Sequence, residues 1–142
     1  MSVEIERCGH RVVDHTADEI VTAWGPTREA CLEQAALGLI DSVADVRDVG
    51  WCYHVEVVLS GTDAELLVGL LDEIIFRLDA DDEIPVRVRI RRHGQEVVAG
   101  LWMADRRAAV MAGAAPKGVS YSGLMIEEDP SGRWRCQVTV DV

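Results

Sequence analysis

The chain has 142 residues with 25 acidic against 14 basic side chains, a formal net charge of −11, and 49% of it is hydrophobic. That length fits one domain, residues 1–142, with a single core, and that apolar fraction excludes a disordered chain. No apolar run approaches the roughly 18 residues a membrane-spanning helix needs; the acidic balance repels phosphate backbones, so stable direct RNA binding is disfavoured and divalent cations or a basic protein partner suit the sign.

The elements follow in chain order. Met1 to Arg7 carries Glu4 and Glu6 and has no apolar signal core, so a cytoplasmic protein is expected. Val13-Asp14-His15-Thr16-Ala17-Asp18 then packs two acids and an imidazole between one predicted strand and the next, Glu19 to Trp24. Acidic oxygens at a strand end suit a hard cation such as calcium or magnesium. The same run also reads as an ordinary turn whose side chains satisfy nearby backbone groups. Thr27 is the predicted N-cap of a helix whose apolar residues recur at Cys31, Leu32, Ala35, Ala36, Leu39, Ile40 and Val43.

Val55, Val57 and Leu59 alternate with His54 and Glu56, the period of a half-buried strand. Thr62 and Glu65 have capping-box spacing and open a second helix, with a stripe running from Leu66 to Leu78. Val86, Val88 and Ile90 alternate with Arg87, Arg89 and Arg91 before a turn at Arg92-His93-Gly94. Asp129-Pro130-Ser131-Gly132 marks another hairpin, and Trp134, Cys136, Val138 and Val140 form the apolar register of a last strand. Two amphipathic helices with such strands predict an α+β, two-layer sandwich: a mostly antiparallel or mixed sheet with both helices packed on one face.

Asp141 falls on the polar register of that last strand, beside Val142 and its expected terminal carboxylate. Two carboxylates at the end of an ordered strand make a concentrated negative site. Cys8, Cys31, Cys52 and Cys136 are too scattered for a zinc site or a disulfide framework, and reduced, mostly buried thiols are expected. His15 reads as ordering the turn that holds Asp14 and Asp18, or as a metal ligand or proton carrier. His10, His54 and His93 show no partner pattern. The strip Arg87, Arg89, Arg91 and Arg92 is the one place RNA could touch, although arginines on a wet strand face usually balance neighbouring acids. No nucleophile elbow, P-loop or dinucleotide fingerprint is present.

Four blocks together resemble the archease family. They are Asp14-His15-Thr16-Ala17-Asp18 with Ala23-Trp24-Gly25; the Leu-rich helix around Leu71-Asp72-Glu73; Pro116-Lys117-Gly118-Val119-Ser120-Tyr121; and Val138-Thr139-Val140-Asp141-Val142. They occur in the family's order and cover nearly the whole chain. The chain departs from the pattern at Val12 and Val13, where an aromatic residue is usual, and at Gly118 and Ser120, where Ala and Thr are commoner.

The resemblance implies a divalent metal, calcium before magnesium or manganese, bound by Asp18, Asp141 and Val142. Asp14 and Glu73 would support that site. Lys117 would contact the partner or steady the acids, or is simply a solvated lysine. No catalytic residue is expected. The implied role is that of an accessory protein activating a GTP- and manganese-dependent RNA ligase in tRNA splicing or RNA repair, by promoting ligase guanylylation and multiple turnover. Two rivals are a general chaperone-like or metal-binding module without ligase specificity, and a metal-dependent hydrolase using Asp18, Asp141 and His15. Oligomeric state is left open.

Overall fold

A computed structural model describes residues 7–14 and 18–142. Strand β1 (Gly9–Asp14) pairs antiparallel with β2 (Asp18–Gly25), whose alternating burial turns Glu19, Val21, Ala23 and Gly25 inward. Helix α1 (Arg28–Val43) starts where the Thr27 hydroxyl accepts from the Ala30 N–H at 3.0 Å, satisfying one of the donors a helix start leaves open. It runs directly into the two-residue β3 (Ala44–Asp45), and β4 (Tyr53–Leu59) follows.

Helix α2 (Asp63–Asp81) has the full capping box: the Glu65 N–H donates to the Thr62 hydroxyl, and the Thr62 N–H donates to the Glu65 carboxylate at 3.0 Å. Arg28 ties the two helix starts together through Asp63 at 2.9 Å. Then come β5 (Glu83–His93), β6 (Glu96–Asp105), a 3-10 turn over Arg106–Ala108, β7 (Val110–Met111), β8 (Gly118–Glu128) and β9 (Trp134–Asp141).

The fold is α+β, and every strand pairing described is antiparallel. The strands, expected in one sheet, divide into a four-stranded sheet of order β1-β2-β9-β8, a three-stranded sheet of order β4-β6-β5 and the β3-β7 ribbon. Helix α1 lies against β1, β2 and β9 of the first sheet and β5 of the second; α2 lies against β8 of the first and β4 and β5 of the second. Both helices therefore bury wide arcs. Leu32, Leu39, Leu66, Leu67, Leu70, Leu71, Leu101 and Met103 meet in one core, each almost wholly excluded from water. Such a side chain contributes about 1.5–3 kcal/mol by leaving water.

Two of the four cysteines depart from the expectation of mostly buried thiols: Cys8 and Cys52 are exposed, Cys31 and Cys136 buried, and all four are free. The hydrogen bond with Cys136, and then burial, push the Cys31 thiol far above its ordinary range. It is a packing residue, because reactivity needs the thiolate. No described helix is long and apolar enough to cross a membrane.

Candidate metal centre at the paired strand ends

The two ends of the chain that carry the acidic motifs meet. Strands β2 and β9 pair in a register that sets Asp18 directly opposite Asp141. Directly opposed residues share a sheet face, and their Cβ atoms stand roughly 5 Å apart. On the other side of Asp141 the register partner is Gly118 of β8, and a Cβ placed there would meet nothing within 4 Å. The acid pair therefore borders an open gap. The Lys117 N–H donates to the Asp141 carbonyl at 2.7 Å, which anchors the start of β8 to the end of β9. Asp18 is half-buried, Asp141 and Lys117 are exposed, and Val142 is half-buried.

Two aspartates facing each other across a ladder are an unfavourable pair in water, since like charges directly opposite destabilise a sheet. A cation between them reverses the sign. The donors at this corner are oxygens, which suits a hard cation of the calcium or magnesium class. Among the described residues no group of three or more His, Cys, Asp or Glu side chains converges on a common point. Here the two carboxylates would need an oxygen from Val142 and water to complete a shell.

The supporting candidates fall differently. Asp14 ends β1 opposite Glu19, one position along β2 from Asp18, which places its backbone at the same corner. His15 lies outside the described residues. The Glu73 carboxylate accepts from the Arg77 guanidinium one turn along α2 at 2.8 Å, so its charge is matched within its own helix.

Residues 10–142 match the model of the archease protein family (MTH1598/TM1083). The chain belongs to the archease family. It is 38% identical over 135 residues to a Mycobacterium tuberculosis protein named "Probable protein archease", covering 94% of this chain and 75% of that one. It is 34% identical to the archease of Thermococcus gammatolerans, covering 91% and 95%. In fold it resembles the solution structure of Methanobacterium thermoautotrophicum protein 1598, with TM-score 0.71 at 23% identity over 94% of this chain and 99% of that one. It also resembles a Thermotoga maritima crystal structure described as an archease, possible chaperone, with TM-score 0.62 at 20% identity, covering 92% and 94%.

Two features of this archease escape motif reading. Glu19, next to Asp18, points the opposite way into the core and is 7% exposed, the one buried charged residue among those described. Strict alternation from Asp18 would have placed it there. Arg87, Arg89 and Arg91 lie on the outer face of the three-stranded sheet, whereas Arg92, opposite the buried Val97, takes the other register. Arg91 pairs with Glu56, as expected of a balancing charge, whereas Arg87 lies 4.6 Å over the Trp102 ring, which His54 stacks against at 4.4 Å. Arg92 donates to the Gly94 carbonyl in its own turn.

Proposed function

We propose that this archease is a non-catalytic accessory protein of a GTP- and manganese-dependent RNA ligase, the enzyme that joins 2′,3′-cyclic-phosphate or 3′-phosphate ends to 5′-hydroxyl ends. It promotes ligase guanylylation and repeated turnover in tRNA splicing or RNA repair. The observation that carries the reading is the Asp18–Asp141 cross-strand pair at an open sheet corner. Asp18, Asp141 and an oxygen of Val142 hold one divalent cation there, calcium in preference to magnesium or manganese. The ion supplies positive charge that neutralises the facing carboxylates and fixes the corner's shape. Lys117 holds the β8 start against Asp141 and offers its exposed ammonium to the partner. Family membership supports the partner, and the net charge of −11 supports a protein rather than bare RNA as the surface addressed. The test adds wild type, Asp18→Ala or Asp141→Ala to ligase reactions, with circular dichroism confirming the fold. Loss of the turnover gain is expected; folded variants that activate as wild type does would sink the reading.

A chaperone-like role is the second reading, favoured by large apolar side chains left in water, such as Phe76 at 62% and Tyr121 at 63% exposure. It calls for suppressed aggregation of unrelated proteins with no gain in ligase turnover.

A further inference from the structure

The outer face of the four-stranded sheet has a second pole. At the end opposite Asp18 and Asp141, a concavity of about 450 Å³ is lined by Arg11, Trp24, Met125, Arg133, Arg135 and Gln137 among others. Trp24 and Asp18 are six residues apart on β2, which is roughly 20 Å of extended strand. The two places are therefore distinct, and binding at the concavity needs no metal at the acidic corner.

Three guanidiniums gather here in a chain whose acids outnumber its bases 25 to 14. They are poorly matched by local acids. Arg11 makes no ion pair among the described residues, and Arg135 reaches the Glu127 carboxylate only at 3.5 Å. The Arg133 Nε–H is buried with no acceptor among the described residues. A buried charged donor left without an acceptor is costly, and the guanidinium that carries it also lines the concavity, where its outer N–H groups can meet a ligand oxygen.

The indole beside them is accessible. Across β1 the register partner of Trp24 is Gly9, so no side chain stands directly opposite the ring on that strand, and Arg11 is its diagonal neighbour. On the β9 side Arg133 stands 5.9 Å from the ring centroid, at the outer limit of a cation–π contact. An aromatic face next to several guanidiniums is the combination that stacks a base and holds a phosphate. The volume lies within the ~300–1,000 Å³ of small-ligand sites. A net charge of −11 opposes a long polyanion, because the rest of the surface repels every further phosphate.

We propose that this concavity binds a nucleoside monophosphate, with its base on the Trp24 indole and its phosphate held by Arg11, Arg133 and Arg135. The monophosphate is either free or the terminal nucleotide of an RNA strand.

The test is calorimetric titration of the full chain, in EDTA so that the Asp18–Asp141 corner plays no part. The probes are adenosine and guanosine monophosphates, inorganic phosphate, the free nucleosides and 5′-phosphorylated RNAs of a shorter and a longer length. The monophosphates should bind one to one, with phosphate or nucleoside alone weaker by about tenfold or more, since each forgoes one half of the site. Arg11→Ala and Arg135→Ala, both at exposed side chains, should each weaken binding about tenfold, as loss of a charge-assisted bond does. Glu127→Gln, which removes the competing acid, should tighten it. Trp24→Leu should erase the advantage of nucleotide over phosphate. Binding of the free monophosphates tighter than the RNA assigns the ligand to the free nucleotide; RNA binding at least as tight, and independent of strand length, assigns it to a strand terminus. RNA affinity that climbs with strand length, nucleotide no better than phosphate, binding unchanged in Arg11→Ala/Arg135→Ala, or no heat with any monophosphate would each overturn the proposal.

Discussion

Replacing Asp141 by asparagine keeps the side chain's shape, removes one of two facing charges, and is expected to change stability with opposite sign depending on calcium. Asp18 and Asp141 are register partners, so their carboxylates lie roughly 5–7 Å apart. Two unit charges at about 6 Å repel by roughly 0.7 kcal/mol at the dielectric of water and about 3 kcal/mol at an effective value of 20. Asp141 is exposed, so the lower end applies, and facing like charges in sheets contribute about 0.2–1 kcal/mol. In EDTA, Asp141→Asn should therefore be the more stable protein by about 0.5–1 kcal/mol, a rise in Tm of roughly 1–3 °C for a chain of this size.

Calcium inverts the order. At a concentration of about 100 times Kd, a ligand that binds only the folded state adds about 2.7 kcal/mol, or several degrees. Wild type should gain that increment and the variant should not. Differential scanning calorimetry on both proteins, with EDTA and with calcium, reads all four values. The EDTA advantage of the variant should also shrink in about 1 M salt, where the screening length falls to roughly 3 Å. Equal calcium responses, or a variant less stable than wild type in EDTA, would refute the reasoning.

Two further outcomes concern packing and titration. Gly113 has φ +70°, and a Cβ there would stand 2.6 Å from the Ser42 carbonyl oxygen. Gly113→Ala should thus lose about 1–3 kcal/mol by urea unfolding, from the left-handed backbone and the collision together; an unchanged midpoint would contradict the described loop. Hydrogen bonds from Arg47 hold the Asp45 carboxyl at about 2, and bonds from Arg107 do the same for Asp105. Both sit below the ordinary 3.8, so the unfolded chain binds protons first as pH falls. The stability advantage of wild type over Asp45→Asn/Asp105→Asn should be full above about pH 5, fall through the range between 3.8 and about 2, and vanish only at about pH 1, followed by chemical denaturation across that range.

Legibility in the sequence tracked how one-sided each element is. Thr27, Thr62 and Glu65 announce both helices because capping chemistry is local and needs no tertiary partner. Strand β9 is legible because one face is core and the other water, which writes a period of two into Trp134 to Asp141. Strand β6 is not. It is the middle strand of its sheet, and Val97, Val98, Ala99, Leu101, Met103 and Ala104 are all buried, so no alternation marks it. Without β6 as a separate centre, the division into two sheets is invisible, and so is the arrangement that puts each helix against both. The acidic corner was legible in its residues, Asp18 and Asp141, while their meeting is a property of strand pairing. The arginine and tryptophan concavity draws on β1, β2, β8, β9 and the β8–β9 turn, and no spacing in the sequence marks it.

The acidic corner and the core share one constraint, the register of β9 on β2. Side chains alternate with period two, so a slip by one residue would carry Asp141 to the core face and turn Val140 and Val138 outward. Burying a carboxylate while exposing two buried valines is unfavourable on both counts, so the core that holds Cys136, Val138 and Val140 also holds Asp141 opposite Asp18. The same pairing sets Trp24 opposite Arg135 at the far end of the same two strands. A substitution that loosens this ladder, such as Val138→Thr, should therefore weaken calcium binding and nucleotide binding together, although Val138 points into the core and touches neither place. Replacements at either pole should leave the other unchanged. That pattern distinguishes sites written on one rigid sheet from sites that form independently.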